Sequence, residues 1–246
     1  MNARTLRLVI EYDGTDFAGW QRQAGQRTVQ GCLEDAFAAM IGAPVRVTGA
    51  GRTDAGVHAE GQVASASVHA RIPSGGFLRG LNTHLPPDIA VRELADVPET
   101  FDARRSARGK VYRYLIWNHV VRSPHRARWS WHYRAALDSH ALREAATAFI
   151  GQHDFRGFRA ADCERRTTVR LIRSFTVVRD GALITCEVEG TAFLKNMVRI
   201  MIGTLVAAGR HQLDAEAIRA LLAAGDRSKA GVTAPAHGLT LVRVIY

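Results

Sequence analysis

The sequence predicts an α+β fold made of two similar halves, and three observations lead there. Strand and helix signals alternate irregularly, without the steady strand–helix rhythm of a doubly wound parallel sheet. Each half offers several strands and about two helices. The charge changes sign along the chain: residues 1–103 hold 9 basic and 12 acidic side chains, and residues 104–246 hold 24 and 11. The expected division is therefore 1–103 and 104–246.

Leu6, Leu8, Ile10 and Tyr12 alternate with Arg7, Val9 and Glu11, which predicts a half-buried strand. Thr28 can cap a helix carrying Val29, Leu33, Phe37 and Met40 on one face, with Gly42 just past its end. Val45–Thr48 and Val57–Val68 read as strands around a glycine-rich turn. Ile72-Pro-Ser-Gly-Gly76, Leu85-Pro-Pro87 and Thr233-Ala-Pro-Ala-His-Gly238 read as loops. In the second half Lys110–Trp117 predicts a strand. Asp138 caps a helix with Leu142, Ala145 and Phe149 inward and Gly151 after it. Alternation at Ala182, Ile184, Cys186 and Val188 predicts another strand. Phe193–Ala208 and Asp214–Ala224 read as helices, and Leu239–Tyr246 as a last strand, apolar on both faces.

The length, 246 residues, suits one large or two small domains, and the 47% apolar content can fill a core. No apolar run is long enough for a transmembrane helix. The segment from Met1 to Leu8 lacks a secretory apolar core and cleavage site. Cys32, Cys163 and Cys186 lie far apart with no CxxC, which argues against a disulfide scaffold or cysteine zinc site and makes a reducing cytoplasm the expected location. The net charge is +10, and Arg104 to Arg134 holds nine basic residues and no acid. A polyanion, with nucleic acid foremost, is the expected partner.

Several standard sites are excluded. Gly49-Ala-Gly51-Arg-Thr-Asp54 begins like a dinucleotide loop but has Asp where the third glycine belongs. There is no GxxxxGK[ST] and no HExxH. His58-Ala-Glu60 matches the H-x-E of zinc deaminases, yet no PCxxC follows, so no metal is expected. Gly49–His58 is more informative. Its glycines permit tight turning and close backbone approach, and at its centre lie a cation, a hydroxyl and a carboxylate: Arg52, Thr53 and Asp54. A hairpin turn with Asp as turn residue explains the pattern, and so does a carboxylate presented as nucleophile or base.

Gly51-Arg-Thr-Asp-Ala-Gly-Val-His-Ala59 resembles the active-site motif of the tRNA pseudouridine synthase A family. Glu11–Gln21, Thr28-Val-Gln-Gly31, Phe101-Asp-Ala-Arg104, Lys110-Val-Tyr-Arg-Tyr114, His153-Asp-Phe155, Phe193–Arg199 with Gly203, and Ala230–Leu239 resemble its other blocks, in order. Asp102 stands where the family pattern has His. The resemblance implies two α+β halves, each an antiparallel sheet with helices on one face, related by a pseudo-twofold with a basic cleft between them. It further implies a homodimer, no cofactor and no metal, and conversion of uridine to pseudouridine at positions 38, 39 and 40 of the tRNA anticodon stem-loop.

On that resemblance Asp54 is the nucleophile, either adding to ribose C1′ or removing a sugar proton. Lys110, Tyr112, Tyr114 and Ile116 share a strand face, and Tyr112 is expected to stack on the uracil and accept the C5 proton. Arg199 lies mid-helix among Met197, Val198, Ile200 and Met201. A buried Arg needs a carboxylate or phosphate partner, and the resemblance suggests Asp54. Lys195, one helical turn earlier, and Lys110 are expected to meet tRNA, and Arg52 to act as wedge or phosphate contact when the target base leaves its stack. Two other readings compete: a non-catalytic tRNA- or RNA-binding protein, and a glycoside-bond hydrolase. The latter would need paired carboxylates, for which Glu60 is the second acid in the motif.

Overall fold

The computed structural model describes residues 3–246; Met1 and Asn2, the start of the segment read for a leader, lie outside the described residues. The elements in chain order are β1 (Arg4–Tyr12), α1 (Val29–Ile41), β2 (Val47–Gly49), β3 (His58–Val68), α2 (Ser74–His84), β4 (Ile89–Val97), β5 (Gly109–Asn118), β6 (Trp131–Tyr133), α3 (Ser139–Thr147), β7 (Gly151–Asp154), β8 (Val169–Asp180), β9 (Leu183–Gly190), α4 (Met197–Gly209), α5 (Ala215–Ala224) and β10 (Leu239–Ile245). This is a mixed α+β architecture. None of the helices among the described residues is long and apolar enough to cross a membrane.

Two compact units divide the chain: residues 1–108 with 241–246, and residues 109–240. The break falls a few residues past the change in charge, and most of the last strand belongs to the first unit, whereas composition alone groups 104–246 together.

In the first unit the strand order is β4-β1-β3-β10, with β2 on β3. β1 runs antiparallel to both β3 and β4. Leu6, Leu8, Ile10 and Tyr12 are all buried, as the alternation predicts. α1 starts where Thr28 accepts a hydrogen bond from the Gly31 amide and ends where Gly42 turns left-handed. Its Phe37 meets Phe77 of α2 at 5.8 Å between ring centroids. α2 corrects the loop expected at Ile72–Gly76. Gly75 and Gly76 occupy its first turn, which no side-chain cap supports, and burial of Phe77 and Leu81 one turn apart holds the helix.

In the second unit the order is β5-β9-β8-β7. β5 with β9, β9 with β8 and β8 with β7 pair antiparallel. In contrast, β6 pairs parallel with β5. The excursion over residues 119–130 is long enough, at about a dozen residues, for the chain to return in the same direction. Asp138 caps α3 by accepting from the His140 and Ala141 amides, and Asp214 caps α5 by accepting from Ala217.

α4 is the core helix of this unit, buried almost all round. It begins at Met197, four residues later than the expected Phe193, because Asn196 adopts a left-handed conformation at φ 61°. At Gly203 the segment 231–232 crosses α4 so closely that a Cβ would lie 1.8 Å from the Val232 carbonyl oxygen. Beside it Thr204 Oγ1 accepts from the Gly231 amide at 2.9 Å and donates to the Ile200 carbonyl at 2.8 Å. A methyl group at 203 must push this segment off the helix. Gly203→Ala is expected to cost about 1–3 kcal/mol, as overpacking of a filled core does, read as a lower urea midpoint. An unchanged midpoint would contradict the crossing.

Candidate active site

The loop carrying Asp54 is built by the first unit from beneath. β1 shifts register against β3 between Ile10 and Tyr12, a bulge that re-aims the end of the strand. Tyr12 then faces the loop, and its phenol oxygen lies 2.8 Å from Thr53 Oγ1. Tyr12 is 3% exposed, Thr53 6% and Gln62 0%. Gln62 Nε2 donates to the Gly51 carbonyl at 3.0 Å. Burial pushes the Tyr12 hydroxyl up to about 12, against the opposing pull of Thr53 and Gln62, so it stays a neutral hydroxyl through the physiological range.

The Asp13–Gln21 segment covers the same loop with backbone. The Trp20 amide donates to the Thr53 carbonyl at 3.1 Å, and the Gly56 amide to the Phe17 carbonyl at 3.4 Å. Val57 N–H closes the turn onto the Asp54 carbonyl at 3.2 Å. His58, buried, accepts the Gly14 amide on Nδ1 at 3.0 Å. Gly19 allows this wrap: its φ is +98°, and a Cβ there would lie 2.7 Å from the Thr53 carbonyl oxygen. The rings of Phe17 and Trp20 pack on Tyr12, with centroids 6.3 and 6.4 Å away.

The outcome is an alternation along the loop. Arg52 is exposed, Thr53 is buried and Asp54 is half-buried. Arg52 Nε donates to Gln21 Oε1 at 3.1 Å. Glu60 is exposed on β3.

The second unit assembles another part of the predicted set. On β5 Tyr112, Tyr114 and Ile116 are buried on one face, with Lys110 half-buried at its end. Tyr112 is 7% exposed, and its ring meets Phe193 edge-on at 5.1 Å. That contact explains the late start of α4, since Phe193 packs on Tyr112 instead of joining the helix. Two residues along β5, Tyr114 donates its phenol to the Pro235 carbonyl at 2.8 Å, and burial raises its ionisation far above the usual phenol range.

Arg199, expected to be buried, is half-buried in the first turn of α4. Its Nε donates to the Ala234 carbonyl at 2.7 Å and its Nη1 to Asn196 Oδ1 at 2.9 Å, while the Ala234 amide donates back to the Arg199 carbonyl at 3.1 Å. The guanidinium is thus aimed by neutral oxygens on two sides. Lys195 is not on the helix face one turn before Arg199. It lies in the preceding turn, exposed, with Nζ bonded to Asp162.

Neither Asn196, Phe193, Tyr12 nor Gln62 was singled out from the sequence. A readable signal existed only for Asn196, since Asn is among the few residues that adopt the left-handed conformation singly. Among the described residues no group of His, Cys, Asp or Glu is arranged to hold a metal ion.

Asp54 thus sits on a backbone-clamped glycine loop of the first unit, and Tyr112 and Arg199 on β5 and α4 of the second. Comparisons with known proteins identify the family. The sequence matches the family described as tRNA pseudouridine synthase over residues 8–104 and 145–246. It is 46% identical over 243 residues to the tRNA pseudouridine synthase A of Geotalea uraniireducens, covering 99% of this chain and 100% of that one. To the protein of the same name from Pelobacter propionicus it is 49% identical over 243 residues, with 99% and 100% covered. To that of Myxococcus xanthus it is 47% identical over 242 residues, with 98% and 91% covered. The chain belongs to the tRNA pseudouridine synthases, a family of isomerases. Arg52, Asp54, Lys195 and Arg199 lie inside the segments matched to the family, and Lys110 and Tyr112 between them.

Gly19→Ala tests the clamp. The methyl group must displace the Thr53 carbonyl or distort a left-handed residue, so the variant is expected to lose about 1–3 kcal/mol of stability. In calorimetry, a melting temperature equal to that of the parent chain would show the loop is not clamped there.

Proposed function

We propose that this chain converts uridine to pseudouridine at positions 38, 39 and 40 of the tRNA anticodon stem-loop, acting as a cytoplasmic homodimer without metal or organic cofactor. The observation that carries the reading is the half-buried Asp54 on its clamped loop, within the stretch Gly51–Ala59 and inside the family match. The reaction breaks the bond from uracil N1 to ribose C1′, turns the base and bonds C1′ to C5. N1 gains a proton and C5 loses one, so atoms and electrons balance without an oxidant. Asp54 handles the sugar, by addition to C1′ or by removing a sugar proton. The Tyr112 ring stacks on the uracil, and its phenol takes the C5 proton. Arg199 pairs with the Asp54 carboxylate, holding it ionised and aimed. This pairing requires the two halves to meet about a pseudo-twofold, with a basic cleft between their sheets.

Arg52 acts as wedge or phosphate contact during extrusion of the base, and Lys110 and Lys195 meet phosphates. Lys195 must exchange its Asp162 partner to do so, a small cost for an exposed ion pair. The segment Arg104–Arg134 supports a polyanionic partner. Seven of its nine cations are exposed, while Lys110 and Arg113 are half-buried.

The direct test incubates the protein with unmodified tRNA and maps pseudouridine chemically in the anticodon arm. Product at 38, 39 and 40 is expected. Asp54→Asn keeps size and hydrogen bonding but removes the charge, and is expected to abolish product while tRNA binding persists. Binding without product from the parent chain would favour a non-catalytic RNA-binding protein. Release of free uracil would identify a glycoside-bond hydrolase.

A second expectation concerns the basic stretch. Affinity for tRNA should fall steeply with salt, by a log–log slope of roughly 0.7–0.9 per phosphate contact. Lys110 shares the Tyr112 face, whereas Arg113 faces the other way and lies 3.8 Å from Glu187, its cross-strand partner. Lys110→Ala should therefore reduce the slope by about one, and Arg113→Ala should leave it nearly unchanged. Equal slopes for both variants and the parent chain would remove this face from the tRNA interface.

A further inference from the structure

The activity proposed above needs a carboxylate held in one direction, yet Asp54 sits on a loop with a glycine on either side within three residues. Something other than local stiffness must fix it. The residue before it is the one that points inward. Thr53 buries its side chain, and its hydroxyl meets the Tyr12 phenol at 2.8 Å. Two residues earlier, the Gly51 carbonyl accepts from Gln62 Nε2 at 3.0 Å, and Gln62 is fully buried. Gln62 is fixed in turn, since its Oε1 accepts the Val63 amide at 3.2 Å. Exposure alternates along the loop, with Arg52 exposed, Thr53 buried and Asp54 half-buried. Anchoring Thr53 inward therefore sets the direction in which Asp54 leaves the backbone.

We propose that Tyr12 is a positioning residue for the reaction: its phenol, bonded to Thr53 beneath the loop, orients the Asp54 carboxylate without touching substrate. The inference rests on Asp54 acting in the isomerisation. Tyr12 is buried under Phe17 and Trp20, so its hydroxyl serves the loop and not the nucleic acid. Removing it loosens the peptide that carries the nucleophile, and small misplacements of reacting groups cost rate more than binding.

The test measures kcat and KM on unmodified tRNA for Tyr12→Phe, Thr53→Val, Thr53→Ser and the double variant Tyr12→Phe/Thr53→Val. Folded fraction is followed in parallel by near-ultraviolet circular dichroism. Tyr12→Phe keeps the ring packing and Thr53→Val keeps the shape, so each deletes only the hydroxyl. Each is expected to lower kcat on the order of ten- to a hundred-fold, with KM within about two-fold of the parent value. Because both remove the same bond, the double variant should be no slower than the slower single variant. Thr53→Ser restores the hydroxyl and should recover most of kcat. Full kcat in Tyr12→Phe, losses that multiply in the double variant, or losses that merely follow the folded fraction would overturn the proposal. A parent chain that makes no pseudouridine overturns both this and the functional reading. An active parent chain with a fully active Tyr12→Phe overturns this inference alone.

Discussion

The structure around Asp54 depends on one constraint: a polar loop must be buried on its underside without leaving its backbone groups unpaired. An unpaired amide or carbonyl away from water costs several times what an ordinary hydrogen bond contributes. The first unit meets this by stacking two layers on residues 51–57. Tyr12 and Gln62 supply side-chain partners from the strands below, and Phe17, Trp20 and His58 supply or bind backbone groups from the flank. The glycines of Asp13–Gln21 follow from that arrangement, since only a residue without Cβ lets one backbone pass so near another. The loop is therefore a fixed platform, and its exposed side carries Arg52 and Asp54.

The second unit shows the same economy with a different device. α4 gives up a turn of regular helix so that Phe193 can brace Tyr112 and Asn196 can brace Arg199. A non-glycine residue in a left-handed conformation is strained, by about 1–3 kcal/mol in general, and persists only where surrounding contacts fix it. Here both ends of that strain bear on residues carried by the functional reading. Tyr114 extends the brace, because it holds Pro235 while Ala234 is clamped to Arg199 through both its amide and its carbonyl.

Much of the architecture is legible in the sequence where one periodicity dominates. β1, α1, α3, β9 and α5 lie where alternation, helical spacing and caps place them, because each has one wet and one dry face. α2 was hidden by Gly75 and Gly76, whose poor propensity is outweighed by burial of Phe77 and Leu81. The start of α4 was misplaced because apolar residues continue through Phe193 and Leu194 without any helix-start signal, and only tertiary contacts reveal why the helix waits. β6 was hidden by its shortness. The candidate site residues Asp54, Tyr112 and Arg199 come from the resemblance to the family's motifs. Tyr12 and Gln62 were not legible, since a buried polar residue at the end of a strand looks the same in sequence whether it packs a core or holds a loop.

The Asp54 loop is a rigid part of the first unit and not a surface segment ordered by substrate. Native-state amide hydrogen exchange tests it without any RNA present. The amides of Trp20, bonded to the Thr53 carbonyl, and of Gly14, bonded to His58, report directly on the two layers. If the loop is a fixed platform, both exchange only as slowly as the core strand β1, through global opening. Exchange of these two amides as fast as that of exposed loop amides, while β1 stays protected, would show that the loop is not held as part of the folded unit.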